Sequence, residues 1–475
     1  MGMSRVMAFR QRGQHEQRGQ VDERFPVVGT RQVLAVLVVA DVAFAFQQTA
    51  VIPAIPTIER TLGVSAHWSA WLLSGYLMAA TVATPLLGRL ADTHGKRRMF
   101  LAALLVFLAG SVGAALSPGI VSLLAFRALQ GVGGAIFPIS FSIARDELAD
   151  ERLGPAIGVL TGAFGAGTAL GFGLGGVLAA LLSWRLVFGA GALAVAAASV
   201  LVVAYVPRRE PAAAGHTDMV GAAVLGGALV AVLLALTFGF DYGWRTPGPP
   251  VLLAAAVALG AVWFRRELRS PSPLVDLRTL RIRSVLLANL ATLALGYGLF
   301  GAYYLLPHLL ENPRYGFGAS VLVSGLYLLP AAVGQLLAGP VAGRVERRQP
   351  AKWPFALGMF TSAVALLALA FLHQWPWSVV AAVFALGFGI GFAVSTSSTL
   401  VTRDVSERQT GISTALNSTL RRLGGGVGSQ LSAGLLVAMA AGGGTGEAAY
   451  VIGFTVAAAL CALGGALASA IPAGG

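Results

Sequence analysis

Two apolar runs near the middle of the chain, Met219–Phe240 (MVGAAVLGGALVAVLLALTFGF) and Pro250–Phe264 (PVLLAAAVALGAVWF), decide the architecture. The first is long enough to cross a bilayer, which takes about 20 apolar residues. The second is shorter, because Pro249 and Pro250 delay its start and Trp263 closes it, yet it returns the chain to the side it left. As a pair they separate two sets of six apolar runs, at 32–56, 68–88, 99–117, 120–143, 155–180 and 186–206 before them and 284–307, 319–342, 353–372, 377–400, 411–440 and 449–471 after them. Fourteen spans are predicted. An even count puts both termini on one side.

Composition agrees with that reading. Of 475 residues 56% are apolar and only 11% charged, with a mean hydropathy of +0.77, where a soluble domain carries about a quarter charged residues. The pattern predicts an all-α polytopic membrane protein. A net charge of +13 would suggest nucleic acid in a soluble protein, but here the bases lie between the spans. With the N-terminal tail in the cytoplasm, the inner connections hold Arg89, Lys96, Arg97, Arg98, Arg145, Arg152, Arg208, Arg209, Arg265, Arg266, Arg269, Arg278, Arg281, Arg283, Arg344, Arg347, Arg348, Lys352, Arg403 and Arg408. The outer ones hold Arg60, Arg185, Arg245 and Arg314. Twenty against four is a strong positive-inside bias. It implies the cytoplasmic (inner) membrane with both termini cytoplasmic, and it accounts for the basic character without a nucleic-acid partner.

The organisation expected is a cytoplasmic tail (1–31), an N-terminal six-helix bundle (32–206), a linker with two extra transmembrane helices (207–283) and a C-terminal six-helix bundle (284–475), acting as a monomer in the lipid bilayer. Cys461 is the single cysteine and lies in the last run, so neither a disulfide within the chain nor a CxxC pair exists.

Several polar residues stand where the bilayer makes them expensive. Asp41, inside VLAVLVVADVAFAF, is the one carboxylate clearly within a predicted membrane core, and an intramembrane acid is a proton-relay candidate by default. Arg127 follows IVSLLAF in the fourth run. A charge there costs about 3 kcal/mol or more, so it should face a polar cavity or partner, and Asp41 is the countercharge expected. Asp241 closes the seventh run at its outer edge, where solvent is expected to reach it. Gln47, Gln130 and Gln335 are candidates to line a substrate cavity, whereas Asn289 and Asn417 fit hydrogen bonds between helices. Arg421 and Arg422 lie a third of the way into the thirteenth run, one facing a cavity and the other the inner surface, or both serving topology.

Between runs two and three stands GRLADTHGKRR (88–98). Gly88 and Gly95 permit a tight turn, and Asp92 can pair with the bases Arg97 and Arg98 around it. This run resembles the GxLxDxxGxRR loop of the major facilitator superfamily. RALQGVG (127–133) is similar to that superfamily's RxxQGxG motif, which implies a part for Arg127 in proton coupling. Gly158, Gly167, Gly171, Gly175 and Gly176 follow a spacing that resembles the antiporter signature G-x8-G-x3-GP-x2-G, with Phe172 where the family carries proline. Trp184, Arg185 and Phe188 resemble the WRxxF junction of the 14-span drug:proton antiporters, and PLVDL (273–277) their approach to the ninth span. Anchored on Pro56, the first span puts Gln47 where that subfamily usually has an acid, with Asp41 six residues earlier.

The resemblance implies the major facilitator fold, two six-helix bundles plus two inserted central helices, using the proton gradient and no cofactor. It further implies proton-coupled efflux of small amphipathic organic compounds by alternating access. A dedicated metabolite exporter or a proton-coupled importer of the same fold is the alternative. An intramembrane lipid-modifying enzyme is remote: it would need paired acids or histidine clusters within the membrane, whereas His15, His67, His94, His216, His308 and His373 fall in tails, loops or span ends. ATP-driven transport would need a GxxxxGK[ST] phosphate loop, and the sequence has none.

Overall fold

A computed structural model of the chain describes residues 29–209, 218–270, 273, 275, 277–403, 407–441 and 446–471. The tail is therefore described only from Gly29, and most of the Pro207–Asp218 linker lies outside the described residues. In chain order the helices are α1 (Thr30–Ala50), α2 (Ile55–Leu62), α3 (Ala66–His94), α4 (Lys96–Ala115), α5 (Ile120–Gly131), α6 (Ile136–Glu147), α7 (Asp150–Leu181) and α8 (Trp184–Tyr205). An inserted pair follows, α9 (Met219–Tyr242) and α10 (Gly248–Arg269). The chain ends with α11 (Arg283–Glu311), α12 (Val321–Glu346), α13 (Lys352–Phe371), α14 (Pro376–Arg403), α15 (Glu407–Ala441) and α16 (Gly446–Ser469). Fourteen helical stretches among the described residues are long and apolar enough to cross a membrane, with α5 and α6 forming one of them and α2 none.

Two predicted spans differ from the expected outline for local reasons. The first was expected to run to residue 56, but α1 stops at Ala50, and Pro53 and Pro56 divert the chain into the short α2. The fourth contains Val132–Gly133–Gly134–Ala135 as a 3-10 turn that joins α5 to α6, since two successive glycines weaken the α-helical repeat. Elsewhere a single residue suffices: Gly95, at φ 96°, is the whole connection between α3 and α4.

Helices α1 and α3–α8 pack among themselves, as do α11–α16. Two seams join the bundles, α3 against α15 and α7 against α12. The inserted α9 lies across the first seam, touching both α3 and α15, while α10 packs mainly on α9 and leaves most of its residues exposed.

The apolar core is not uniform from end to end. At the end away from the arginine-rich connections one core runs through both bundles, with Val51, Ile52, Phe172 and Phe188 packed with Tyr303, Leu306 and Leu328. Toward the arginine-rich end the first bundle has a core of its own, including Val36, Phe44, Phe107, Ile139 and Val202.

Candidate functional site

The sides of α7 carry different duties. Gly167, Gly171 and Gly175, four residues apart, face α1 so closely that an added Cβ at Gly167 would sit 2.6 Å from the Val42 carbonyl oxygen and one at Gly171 2.7 Å from that of Phe46. Small residues at this spacing allow backbone contact. Another face meets α12. A Cβ at Gly176 would lie 3.2 Å from Gly325 Cα, one at Gly325 2.6 Å from the Phe172 carbonyl oxygen, and one at Gly165 2.7 Å from Leu336. Following that face toward the arginine-rich end reaches Gly162, Gly158 and Gly154, and on α12 Gly339 and Gly343. A Cβ on any of these five would meet nothing within 4 Å. The two helices touch at one end and separate at the other.

Phe172, in the position where a proline was absent from the motif, is fully buried and meets the Tyr303 ring of α11 edge-on at 5.3 Å. Gln335 Nε2 donates to Tyr303 Oη at 2.9 Å. These two predicted residues are therefore brought to one place between the bundles.

Asp41 is 0% exposed, accepts a hydrogen bond from Ser140 Oγ on α6 at 2.8 Å through Oδ2, and has no partner at Oδ1. Arg127 is not its countercharge. The guanidinium is likewise 0% exposed, but it donates to the Leu72 carbonyl through Nε and Nη2 at 3.0 and 2.8 Å, and to Gln130 Oε1 at 2.8 Å. It also lies 4.5 Å from the centre of the Tyr76 ring. Ser140 and Arg127 are thirteen residues apart on one span, about 20 Å by helical rise, so the acid and the base occupy different depths. Gln130 is fixed by Arg127 and by Ser111 Oγ at 2.8 Å, and Gln47 is fully buried against Gly191 of α8 with both amide atoms unpartnered. Both glutamines sit inside the first bundle rather than between the bundles, as Asn289 and Asn417 sit inside the second, bonded to each other at 3.2 Å.

The charged loop after α3 also closes differently from expectation. Lys96 pairs with Asp146 at 2.7 Å and Arg209 with Glu147 at 2.5 Å, while Asp92 stands exposed at the rim of the pocket these residues line. Arg97 donates to the Val203 carbonyl at 2.7 Å, and Arg98 is exposed. Gly88 has no close neighbour.

At the α3–α15 seam Arg422 reaches out of α15 into the first bundle, donating to Thr84 Oγ1 at 2.5 Å and to the Gly134 carbonyl at 3.0 Å. Thr237 of α9 accepts from Trp71 of α3 at 2.9 Å and from Gln430 of α15 at 3.3 Å, touching both bundles at once. Below it Val275 and Leu277, from the connection before α11, pack with Val82, Leu86 and Leu416, and Arg89 donates to the Pro273 carbonyl at 2.9 Å.

A second polar cluster, which the sequence reading passed over, closes the opposite end. Glu59 of α2 receives Ser69 Oγ and lies 3.0 Å from Tyr304 Oη and 2.9 Å from His308 Nε2, both on α11 of the other bundle. Arg60 pairs with Glu311 at 2.9 Å. Nearby, Asp241 is exposed, as its place at the edge of the run predicts, and pairs with the buried His67. The signal was available: Tyr304, His308 and Glu311 share one helical face at i, i+4 and i+7.

The sequence model described as Major Facilitator Superfamily matches residues 37–429. Multidrug resistance protein B homolog of Mycobacterium tuberculosis is 30% identical over 426 residues, 86% of this chain and 76% of that one. The tetracenomycin C resistance and export protein of Streptomyces glaucescens is 29% identical over 409 residues, 84% and 74% of the two chains. Among solved structures, a peptide transporter crystallised with sulfate superimposes with a TM-score of 0.67 at 19% identity over 93% of this chain and 94% of that one. The human organic anion transporter MFSD10 gives 0.62 at 19% over 92% and 99%. At these identities the two structures speak for the fold alone.

Proposed function

The chain belongs to the Major Facilitator Superfamily, whose members are membrane transporters and not enzymes, and from that footing we propose that it exports amphipathic organic compounds in exchange for protons. The observation that carries this reading is the pair of relatives named for multidrug resistance and for antibiotic export, each matched over more than four fifths of this chain.

With the arginine-rich end in the cytoplasm, the geometry is that of a carrier closed to the outside, whose α7 and α12 part toward the inside. A small amphipathic organic substrate enters between the bundles from the cytoplasmic side, against Phe172, Tyr303 and Gln335. Rocking of one bundle on the other then exposes it outside. The chain's own residues supply the proton chemistry, and no cofactor is needed. Asp41 sits in the separate core of the first bundle's cytoplasmic half, with Ser140 orienting one oxygen and the other free to take a proton. Arg127 acts as a positioning residue, holding α3 and α5 together through the Leu72 carbonyl rather than steering Asp41.

The test is cellular accumulation of lipophilic drugs in an efflux-deficient bacterial host, with and without a protonophore. Expression should lower accumulation, the protonophore should restore it, and Asp41→Asn should abolish gradient-driven export at unchanged protein level. Substrate-induced proton movement in Asp41→Asn proteoliposomes equal to wild type would exclude the role of Asp41. The name of the Streptomyces relative favours one second reading, an exporter dedicated to a single compound, and a screen in which only one chemical class responds would select it.

A further inference from the structure

The cluster at the outer end contains more titratable chemistry than a structural clamp requires. Its members come from both bundles. Helix α2 contributes Glu59 and Arg60, and α3 contributes Ser69, the Ala66 carbonyl and the neighbouring His67. Helix α11 contributes Tyr304, His308 and Glu311. The inserted α9 adds Asp241 against His67, and Tyr450 of α16 stands close enough to feel the charge of Glu59.

The donor inventory of the histidine is decisive. His308 Nδ1 lies 2.7 Å from the Tyr304 carbonyl oxygen, which can only accept, so that nitrogen carries a hydrogen. Nε2 lies 2.9 Å from Glu59 Oε1, which already receives Ser69 Oγ. Both contacts are satisfied together when the ring is an imidazolium facing a carboxylate. A neutral ring keeps one hydrogen, and with that hydrogen on Nδ1 it turns a lone pair toward the Glu59 carboxylate.

We propose that His308 and Glu59 form a proton-binding site between the bundles, separate from Asp41, which holds the outer gate closed while the imidazole carries its proton and releases it when the proton leaves. Burial alone would push the Glu59 carboxyl upward, but His308, Ser69 and Tyr304 outweigh it and hold the carboxyl below its ordinary value while the imidazolium faces it, so the closed gate pairs a carboxylate with a charged ring. Beside the pair, Arg60 is bonded to Glu311 and Asp241 to His67. The orientation of this site toward the outside rests on the exporter reading; its response to pH does not.

The experiment follows the gate directly. Thr61 and Arg314 are exposed at the outer end of the two bundles. Spin labels are placed on Thr61→Cys and Arg314→Cys in the full-length chain carrying Cys461→Ala, reconstituted in liposomes, and the distance between them is measured between about pH 6 and about pH 9 without substrate. The short distance should dominate at the acid limit and give way to a longer one as pH rises. His308→Gln and Glu59→Gln should each remove that response and lower the closed-to-open ratio at about pH 6 by about tenfold or more. Tyr304→Phe, which keeps the ion pair, should retain the response. A wild-type distance that does not change with pH, or a wild-type response persisting in both His308→Gln and Glu59→Gln, overturns the proposal. Substrate-driven proton movement in the same liposomes tests the exporter reading separately: its absence would sink that reading, while the label distances decide the gate on their own.

Discussion

Along the α3–α15 seam a guanidinium, a threonine and an inserted helix hold the bundles together from one end to the other, whereas along the α7–α12 seam bare backbone meets bare backbone at one end and separates at the other. The first seam is made of directional bonds: Arg422 to Thr84 and Gly134, Thr237 to Trp71 and Gln430. The second is made of glycines. In a bilayer, where apolar surface gains little by leaving lipid, close packing and interhelical hydrogen bonds are the two available adhesives, and this molecule assigns one to each side. A seam held by contact alone can part by rotation without leaving buried polar groups unpaired. One held by a half-buried cation loses those bonds when it parts.

The largest effect is expected where the glycine seam is tightest. Gly325→Val would put a Cβ 2.6 Å from the Phe172 carbonyl oxygen, and overpacking of this kind costs about 1–3 kcal/mol. Export should fall at least about tenfold, while Gly158→Ala at the parted end changes stability by about 0.5 kcal/mol or less. Transport assays and thermal melts on both variants decide it. Equal losses would mean that α7 and α12 are equally close at both ends.

Next in size is the cation across the other seam. Arg422→Gln should cost about 2 kcal/mol, since hydrogen bonds made by a charged donor are the stronger ones. Arg422→Lys should recover less than half of it, because an ammonium lacks the fork that reaches Thr84 and Gly134 together. Melting temperatures of the purified variants measure both, and an unchanged melt for Arg422→Gln would remove the distinction between the seams.

The smallest effect concerns the inserted pair. Asp218 caps α9 by accepting from the Gly221 N–H at 2.8 Å and pairs with Arg266 at 3.0 Å. The Gly221 N–H, with Arg266, holds its carboxyl below the ordinary carboxylate value. A lowered native value means the stabilisation is complete above the ordinary value and is lost as pH falls through the lowered one. Asp218→Ala should therefore cost about 1 kcal/mol at neutral pH and less once the carboxyl is protonated. Melts of wild type and variant that fail to converge toward acid pH would show that the cap is not what steadies α9.

Much of the fold is legible in the sequence. Even the weak eighth run, opened by Pro249 and Pro250, is a helix from Gly248 to Arg269, because hydropathy reports transfer into lipid whatever the neighbours do. Depth along a span could also be counted: Asp41 lies eleven residues after the start of α1, and Arg127 seven after the start of α5 at the other end. Counted from the outer ends, where α1 closes at Ala50, the two differ in depth by only about 3 Å, so the count leaves their pairing open, and it is the bond from Ser140 to Asp41 that separates them. Rotation about the helix axis was not legible. Whether Gln47 faced a cavity or Gly191 depends on which neighbour α1 chooses, and apolar residues on nearly every side of a membrane helix leave no polar stripe to mark it. His308 was passed over because it closes a span, although the ends of spans are where opposing bundles meet.

The inserted helices carry one more consequence, and it is a matter of parity. A chain that crosses a bilayer once more than before delivers everything downstream upside down, with its arginines on the wrong side. Crossing and returning restores the register, so two helices are the smallest addition that leaves α11–α16 in their original orientation. The connection back then sets Val275 and Leu277 beneath the α3–α15 seam. The same arithmetic explains why most residues of α10 are exposed: α9 does the bridging, and α10 is the return stroke that makes α9 topologically possible.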